Sequence, residues 1–156
     1  MSPHNEFIYV VDRGGIDSQA HQVIKLNLEG EIVEIIGKRG HAEGNFNLPL
    51  DIVIDSDGYL YVLDSGNFRV QVFDDAGQYV RSFGNVGTGL GQFGQPRSIA
   101  IDRDNNLYVS DTQFGNIQVF NSGGRLLLPI GEISGELLPG HYTLITGITV
   151  DPDNYL

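Results

Sequence analysis

Apolar and polar residues alternate with a period of two along most of the chain. The runs are short: "FIYVVD" (7–12), "LDIVID" (50–55), "YLYVLD" (59–64), "RVQVFD" (69–74) and "QYVRSFG" (78–84), then "RSIAID" (97–102), "NLYVSD" (106–111), "NIQVFN" (116–121) and "RLLLPIG" (125–131). They are rich in Val, Ile, Tyr and Phe, which suit a pleated, half-buried surface. Between them stand "DSDG", "RDNN", "DAG" and "NSGG", whose residues tolerate the backbone angles of tight hairpins. No segment holds a helical period together with the caps that would start a helix. The pattern predicts an all-β chain of short antiparallel strands.

The strands recur in order. Residues 44–84 align with 91–131 without a gap, and 47 residues separate Asp55 from Asp102, Pro49 from Pro96, Asp64 from Asp111 and Gly84 from Gly131. An upstream copy lacks its front and spans about 5–37; it carries five extra residues after Asp12. A downstream copy, about 143–156, has only its front, "LITGITVD" and "DPDNYL". A four-stranded antiparallel unit repeated every 40–50 residues is the pattern of a β-propeller blade. The expected domain is therefore one propeller arc over 1–156, three blades to the chain.

With the blades set out, "PRSIAIDRDNNLYVSDTQFGNIQVFNSGG" (96–124) resembles the NHL repeat, and the resemblance extends over nearly all of residues 4–156. It implies a ring that usually closes with six blades. Relatives of that type include peptidyl-α-hydroxyglycine lyases, gluconolactonase-like hydrolases, RNA-binding domains and scaffolds, so the resemblance fixes no single activity.

Three blades cannot close, because each blade hides its apolar faces against neighbours. Ile8 and Leu156 occupy the same place in the repeat, so the chain is a whole number of blades long. Three readings follow. In one, two chains form a six-bladed homodimer, the "LITGITVD" strand of each completing the blade that begins with "FIYVVD" of the other. In another, the chain is a piece of a longer propeller. In the third, a different protein lends the missing blades.

Composition narrows the chemistry. Nine Lys and Arg stand against 20 Asp and Glu, a net charge of −11, and the cations are scattered apart from Lys38-Arg39; this argues against a nucleic-acid partner. There is no Cys, which removes thiol catalysis and Cys-type zinc sites. No apolar run is long enough to span a membrane. "MSPHNEFIYVVDRGG" shows no secretory signal, leaving the cytoplasm as the default compartment.

Candidate sites are few. The D-x-D-G/N pieces at Asp55, Asp102 and Asp151 resemble the opening of a calcium loop but lack its later ligands; they read as hairpin turns. Asp12, Asp64 and Asp111 end the second strand of each blade and read as turn caps. His4, His21, His41 and His141 show no metal-ligand spacing. The stretch 83–94 resembles a phosphate loop only in glycine content. Alternation places Asp51 and Val53, Ser98 and Ala100, and Gly147 and Thr149 toward the central channel, where Asp51, repeated in a dimer, would offer a paired acidic site for a divalent cation or an amine. The enlarged loop "DRGGIDSQAHQ" (12–22) brings Arg13, Asp17 and His21 to the face where propellers commonly bind ligands. The ligand-binding candidates are thus Asp51, Ser98, Thr149, Arg13, Asp17 and His21. No cofactor is evident. The expected function is a non-catalytic module binding a protein, peptide or small molecule; the alternative is a metal-dependent lyase or lactonase-type enzyme at the axis.

Overall fold

A computed structural model of the chain describes residues 6–15, 17–131, 145–151, 153 and 155–156. Eleven strands form three antiparallel meanders: β1 (Phe7–Asp12), β2 (Gln22–Asn27) and β3 (Ile32–Ile36); β4 (Pro49–Ile54), β5 (Leu60–Asp64), β6 (Arg69–Phe73) and β7 (Tyr79–Phe83); β8 (Pro96–Ile101), β9 (Leu107–Asp111), β10 (Asn116–Phe120) and β11 (Leu126–Ile130). Equivalent pairs hold equivalent registers, Leu60 opposite Phe73 and Leu107 opposite Phe120. A short 3₁₀ turn, Ser65–Asn67, follows β5 in the second blade.

The hairpins form as their residues require. Asp55 Oδ1 accepts the N–H groups of Asp57 and Tyr59, both at 2.9 Å, and Asp102 Oδ1 those of Asp104 and Asn106 at 2.9 and 2.8 Å. Asp151 Oδ1 does the same for Asp153 and Tyr155. These are Asx turns, with the left-handed position filled by Gly58 (φ +90°) and by Asn105 (φ +61°), residues that adopt that conformation at low cost. The second carboxylate oxygens of Asp55 and Asp102 accept the hydroxyls of Tyr61 and Tyr108 at 2.9 and 3.1 Å.

The core lies between sheets. Val23, Ile36 and Phe46 pack against Leu60, Val62 and Phe73, joining the first blade to the second. Tyr61, Leu63, Val70 and Val72 pack against Ile99, Leu107, Val109 and Phe120, joining the second to the third, with Phe93 between them. Strand β5 is therefore apolar on both faces and wholly buried, because a blade lies on either side of it. The strand faces meet neighbouring blades rather than the channel. Val53, expected toward the channel, instead packs into the second interface.

Two devices fix each junction. Gly37 (φ +77°) and Gly84 (φ +88°) end the outer strands, and a Cβ at either would overlap the ring of Phe46 or Phe93. The buried Gln71 accepts Gly44 N–H at 2.9 Å and donates to Asn45 O at 2.7 Å; Gln118, 47 residues on, does the same for Gly91 and Gln92 at 2.7 and 2.8 Å. The connector before each blade is thus pinned to that blade's third strand.

The first blade differs. It has three strands among the described residues, and the inner edge of β1 carries no ladder partner. Ile8 and Val10 are 47% and 40% exposed, whereas their equivalents Leu60 and Val62 are 2% and 0% exposed beneath the first blade.

Candidate functional site

The second strand of each blade ends in an aspartate that organises the same end of the sheet. Asp64, 0% exposed, accepts Asn47 N–H at 2.7 Å, Asn67 Nδ2 at 2.8 Å, Arg69 Nε at 2.9 Å and Gln71 Nε2 at 3.0 Å. Burial lifts its pKa above the usual carboxylate range, opposed by the bonds from Asn67, Asn47 and Arg69. Asp111 serves the third blade with backbone donors, accepting Gly94 and Gln95 N–H at 2.6 and 3.0 Å and Gln113 N–H at 3.0 Å. In the first blade Asp12 accepts Gly14 N–H at 2.9 Å and Gln22 Nε2 at 3.4 Å. These aspartates cap loops, as their recurrence predicts.

The enlarged β1–β2 loop folds on itself. Ser18 N–H reaches Gly15 O at 3.0 Å, Ala20 N–H reaches Ser18 Oγ at 2.9 Å, and Gln19 O accepts both His21 N–H and, from the next connector, Arg39 N–H. The loop and the connector enclose a pocket of about 400 Å³ lined by Arg13, Gly14, Gly15, His21, Arg39, Asn47 and Leu48. His21 is 5% exposed, and its Nδ1 accepts Leu48 N–H at 2.8 Å, which assigns the ring proton to Nε2. Burial and the nearby Arg39 hold the His21 pKa below its usual value, against the pull of Asp12 and Asp64. The imidazole is therefore neutral at pH 7.

The six sequence candidates separate into three groups. Arg13 and His21 come together in this pocket; Asp17 lies exposed on the same loop outside its lining. Asp51 and Ser98 are joined to each other: Asp51 Oδ2 accepts Ser98 Oγ at 2.7 Å and Ile99 N–H at 2.9 Å, tying β4 to β8. Ser98 Oγ also accepts Ile148 N–H at 3.3 Å, so the three inner segments are stitched in sequence. Thr149 is exposed and lines a separate cleft with Ile117, Ile145 and Ile148. His4 and His141 lie outside the described residues. Among those residues no three His, Asp or Glu side chains form a metal-holding group, and no helix is long and apolar enough to cross a membrane.

Sequence reasoning missed Arg39, Asn47 and Leu48. The signal that could have found them is departure from the repeat: 47 residues on, Arg39 becomes Val86, Asn47 becomes Gly94, and His21 becomes Phe68.

Meanders of four antiparallel strands, packed face to face about their first strands, define an arc of a β-propeller. A family model described as a 6-bladed beta-propeller matches residues 45–117. The human NHL repeat-containing protein 3 is 40% identical over 68 residues, 43% of this chain and 19% of that protein. The crystal structure of RRP9 WD40 repeats superposes with a TM-score of 0.63 at 20% identity, over 82% of this chain and 36% of the other. Virginiamycin B lyase from Staphylococcus aureus gives 0.61 at 16% identity, over 85% and 40%. Over these matched stretches, each less than half of its length, the chain is similar to six-bladed propellers and to NHL-repeat proteins. It spans about a fifth of the human relative it matches.

Proposed function

We propose that the chain is a non-catalytic binding or scaffold module that presents one propeller face to a protein, peptide or small-molecule ligand. The observation that carries this reading is how its carboxylates are used. Asp51, Asp55, Asp64, Asp102 and Asp111 each hold backbone N–H groups in place, so they serve construction. Three side chains able to donate to a ligand, Arg13, His21 and Arg39, line the loop-side pocket. A metal-dependent lyase or lactonase-type site at the axis is the weaker reading, since Asp51 is already spent on Ser98 and Ile99.

Two copies complete the ring in this proposal. The unpaired edge of β1 takes the segment Ile145–Asp151 of the other copy, which carries the inner-strand register of β4 and β8. Closing the ring also sets the other copy's third blade against the exposed face of β1, covering Ile8 and Val10, and burying one such side chain stabilises by about 1.5–3 kcal/mol.

Light scattering tests the assembly: a mass twice the 17.1 kDa of one chain, reduced to one by Val10→Asp, supports it, and a folded wild-type monomer refutes it. A thermal-shift screen of peptides and small molecules, with and without EDTA, tests the function. Ligands that raise Tm regardless of EDTA support a binding module; EDTA-sensitive turnover of a lactone or peptide substrate refutes it.

A further inference from the structure

The junction between the second and third blades supplies an internal control for the pocket. Positions equivalent by the 47-residue repeat form a hollow there too, of about 250 Å³, lined by Phe68, Val86, Thr88, Phe93, Gly94 and Phe114 among others. Phe68 stands where His21 stands, Val86 where Arg39 stands, and Gly94 where Asn47 stands. The fold accordingly needs no cation, imidazole or amide at this place. The charge is particular to the first junction, where Arg39 Nη1 also donates to Ser18 O of the enlarged loop at 3.4 Å.

The backbone bonds differ in the same way. At the second junction Asp111 takes the N–H groups of both Gly94 and Gln95. At the first, Asp64 takes Asn47 N–H alone, and His21 Nδ1 takes Leu48 N–H. An imidazole has replaced a carboxylate oxygen. One consequence is structural: Leu48 holds a left-handed backbone (φ +53°) ahead of Pro49. The other is chemical. With Nδ1 engaged, His21 must present Nε2–H, and this donor, without a protein partner among the described residues, keeps contact with solvent on a side chain that lines the pocket.

We infer that this pocket binds an oxyanion, the carboxylate or phosphoryl group of a ligand, through His21 Nε2–H and the guanidinium groups of Arg13 and Arg39. The inference rests on the binding-module reading and names the chemistry of its site. A guanidinium matches a carboxylate or phosphate in both charge and fork geometry, and the neutral imidazole adds one N–H donor beside them. Gly15 leaves room beside them, since a Cβ there would meet nothing within 4 Å. Asp12, the nearest loop carboxylate, is occupied by Gly14 and Gln22. The loop's own hydrogen bonds hold the donors in place before a ligand arrives, which reduces the ordering cost of binding. In a chain of net charge −11, two arginines lining one pocket with a neutral imidazole are a local exception to the surrounding field.

The test is an NMR titration of the ¹⁵N-labelled full chain at pH 7.5 with inorganic phosphate and, separately, with acetate, chloride holding the ionic strength constant. Saturable shifts at the Gly15 and Leu48 amides and at His21 Nε2 are expected. Arg13→Gln/Arg39→Gln should weaken them at least tenfold, and Arg97→Gln, on β8, should leave them unchanged. Response to phosphate alone assigns a phosphoryl ligand, response to acetate alone a carboxylate, and either supports the site. No saturable shift with either anion, or shifts undiminished in the double variant, overturns it. Light scattering on the same samples keeps the readings apart: a monomer that binds anions refutes ring closure by two copies, and a dimer that binds neither refutes the pocket.

Discussion

Replacing Asp64 with alanine should be among the most damaging single changes available to this chain. The carboxylate is wholly buried and collects four donors, from Asn47, Asn67, Arg69 and Gln71. Three have second acceptors: Asn67 also reaches Gly40 O, Arg69 reaches Ala42 O and Asn45 O, and Gln71 reaches Asn45 O. Asn47 N–H has none and would be stranded. Its loss alone costs about 1–3 kcal/mol. Arg69, whose side chain is 15% exposed, would lose its counter-ion as well, and breaking such a pair from one side brings the total to about 3–5 kcal/mol. For a chain of this size that corresponds to a fall in Tm of about 6–20 °C. Asp64→Asn keeps an acceptor for Asn47 but sets an NH2 against the donors of Asn67, Arg69 and Gln71 that Oδ2 had accepted, so it should cost about as much as alanine. Urea unfolding followed by circular dichroism at pH 7 and one fixed protein concentration measures both, as a shift in midpoint at constant slope. An Asp64→Ala variant within 1 kcal/mol of wild type would refute the view that this carboxylate organises the blade.

Two further expectations follow. His21 has a lowered pKa in the folded chain, so the unfolded chain binds the extra proton more readily. Its contribution to stability is complete above about pH 6.5 and is lost as pH falls through the lower folded value. Protonated Nδ1 cannot accept Leu48 N–H; the charges that face it are Arg39, opposing protonation, and Asp12 and Asp64, favouring it. The acid-side slope of stability between pH 6.5 and 5 should therefore be shallower in His21→Gln than in wild type, read from urea midpoints. Gly84→Ala forces a Cβ into the Phe93 ring at a positive φ and should cost about 2–4 kcal/mol, the sum of strained backbone and overpacking, while Gly123→Ala, whose Cβ would meet only Asn121 Oδ1 at 3.4 Å, should cost less than about 1 kcal/mol by calorimetry.

The strands and hairpins were legible because a period of two and Asx-turn residues are local signals: Asp55 and Asp102 cap the turns their neighbours need. The repeat made the blade order legible as well. The facing of the inner strand was not. Alternation says that Asp51 and Val53 share a side, but not whether that side meets a channel or a neighbouring sheet, and Val53 meets a sheet. Nor could the pocket be read directly. Arg13 and His21 sit on a loop whose extra length draws notice, whereas Arg39 and Leu48 reach them only through the return of the next connector. His21 bonding to Leu48 N–H in place of an aspartate oxygen is a substitution of one acceptor for another, and sequence spacing carries no trace of it.

The glutamine pins span only 26 or 27 residues of chain, and each lies wholly within one repeat. Excise 47 residues between any two equivalent positions of the second and third blades, and every pin and every glycine–phenylalanine contact re-forms with its counterpart. Duplicate the same length and the outcome is again a consistent arc. Such a chain is built to be lengthened and shortened by genetic recombination in whole units, with most energetic consequences confined to the seams. It can also fold outward from any one blade, since few contacts wait for distant segments to arrive. What recombination cannot copy is an individual feature such as the Arg13–His21–Arg39 pocket, which belongs to one seam and would be diluted, not multiplied, as the array grows.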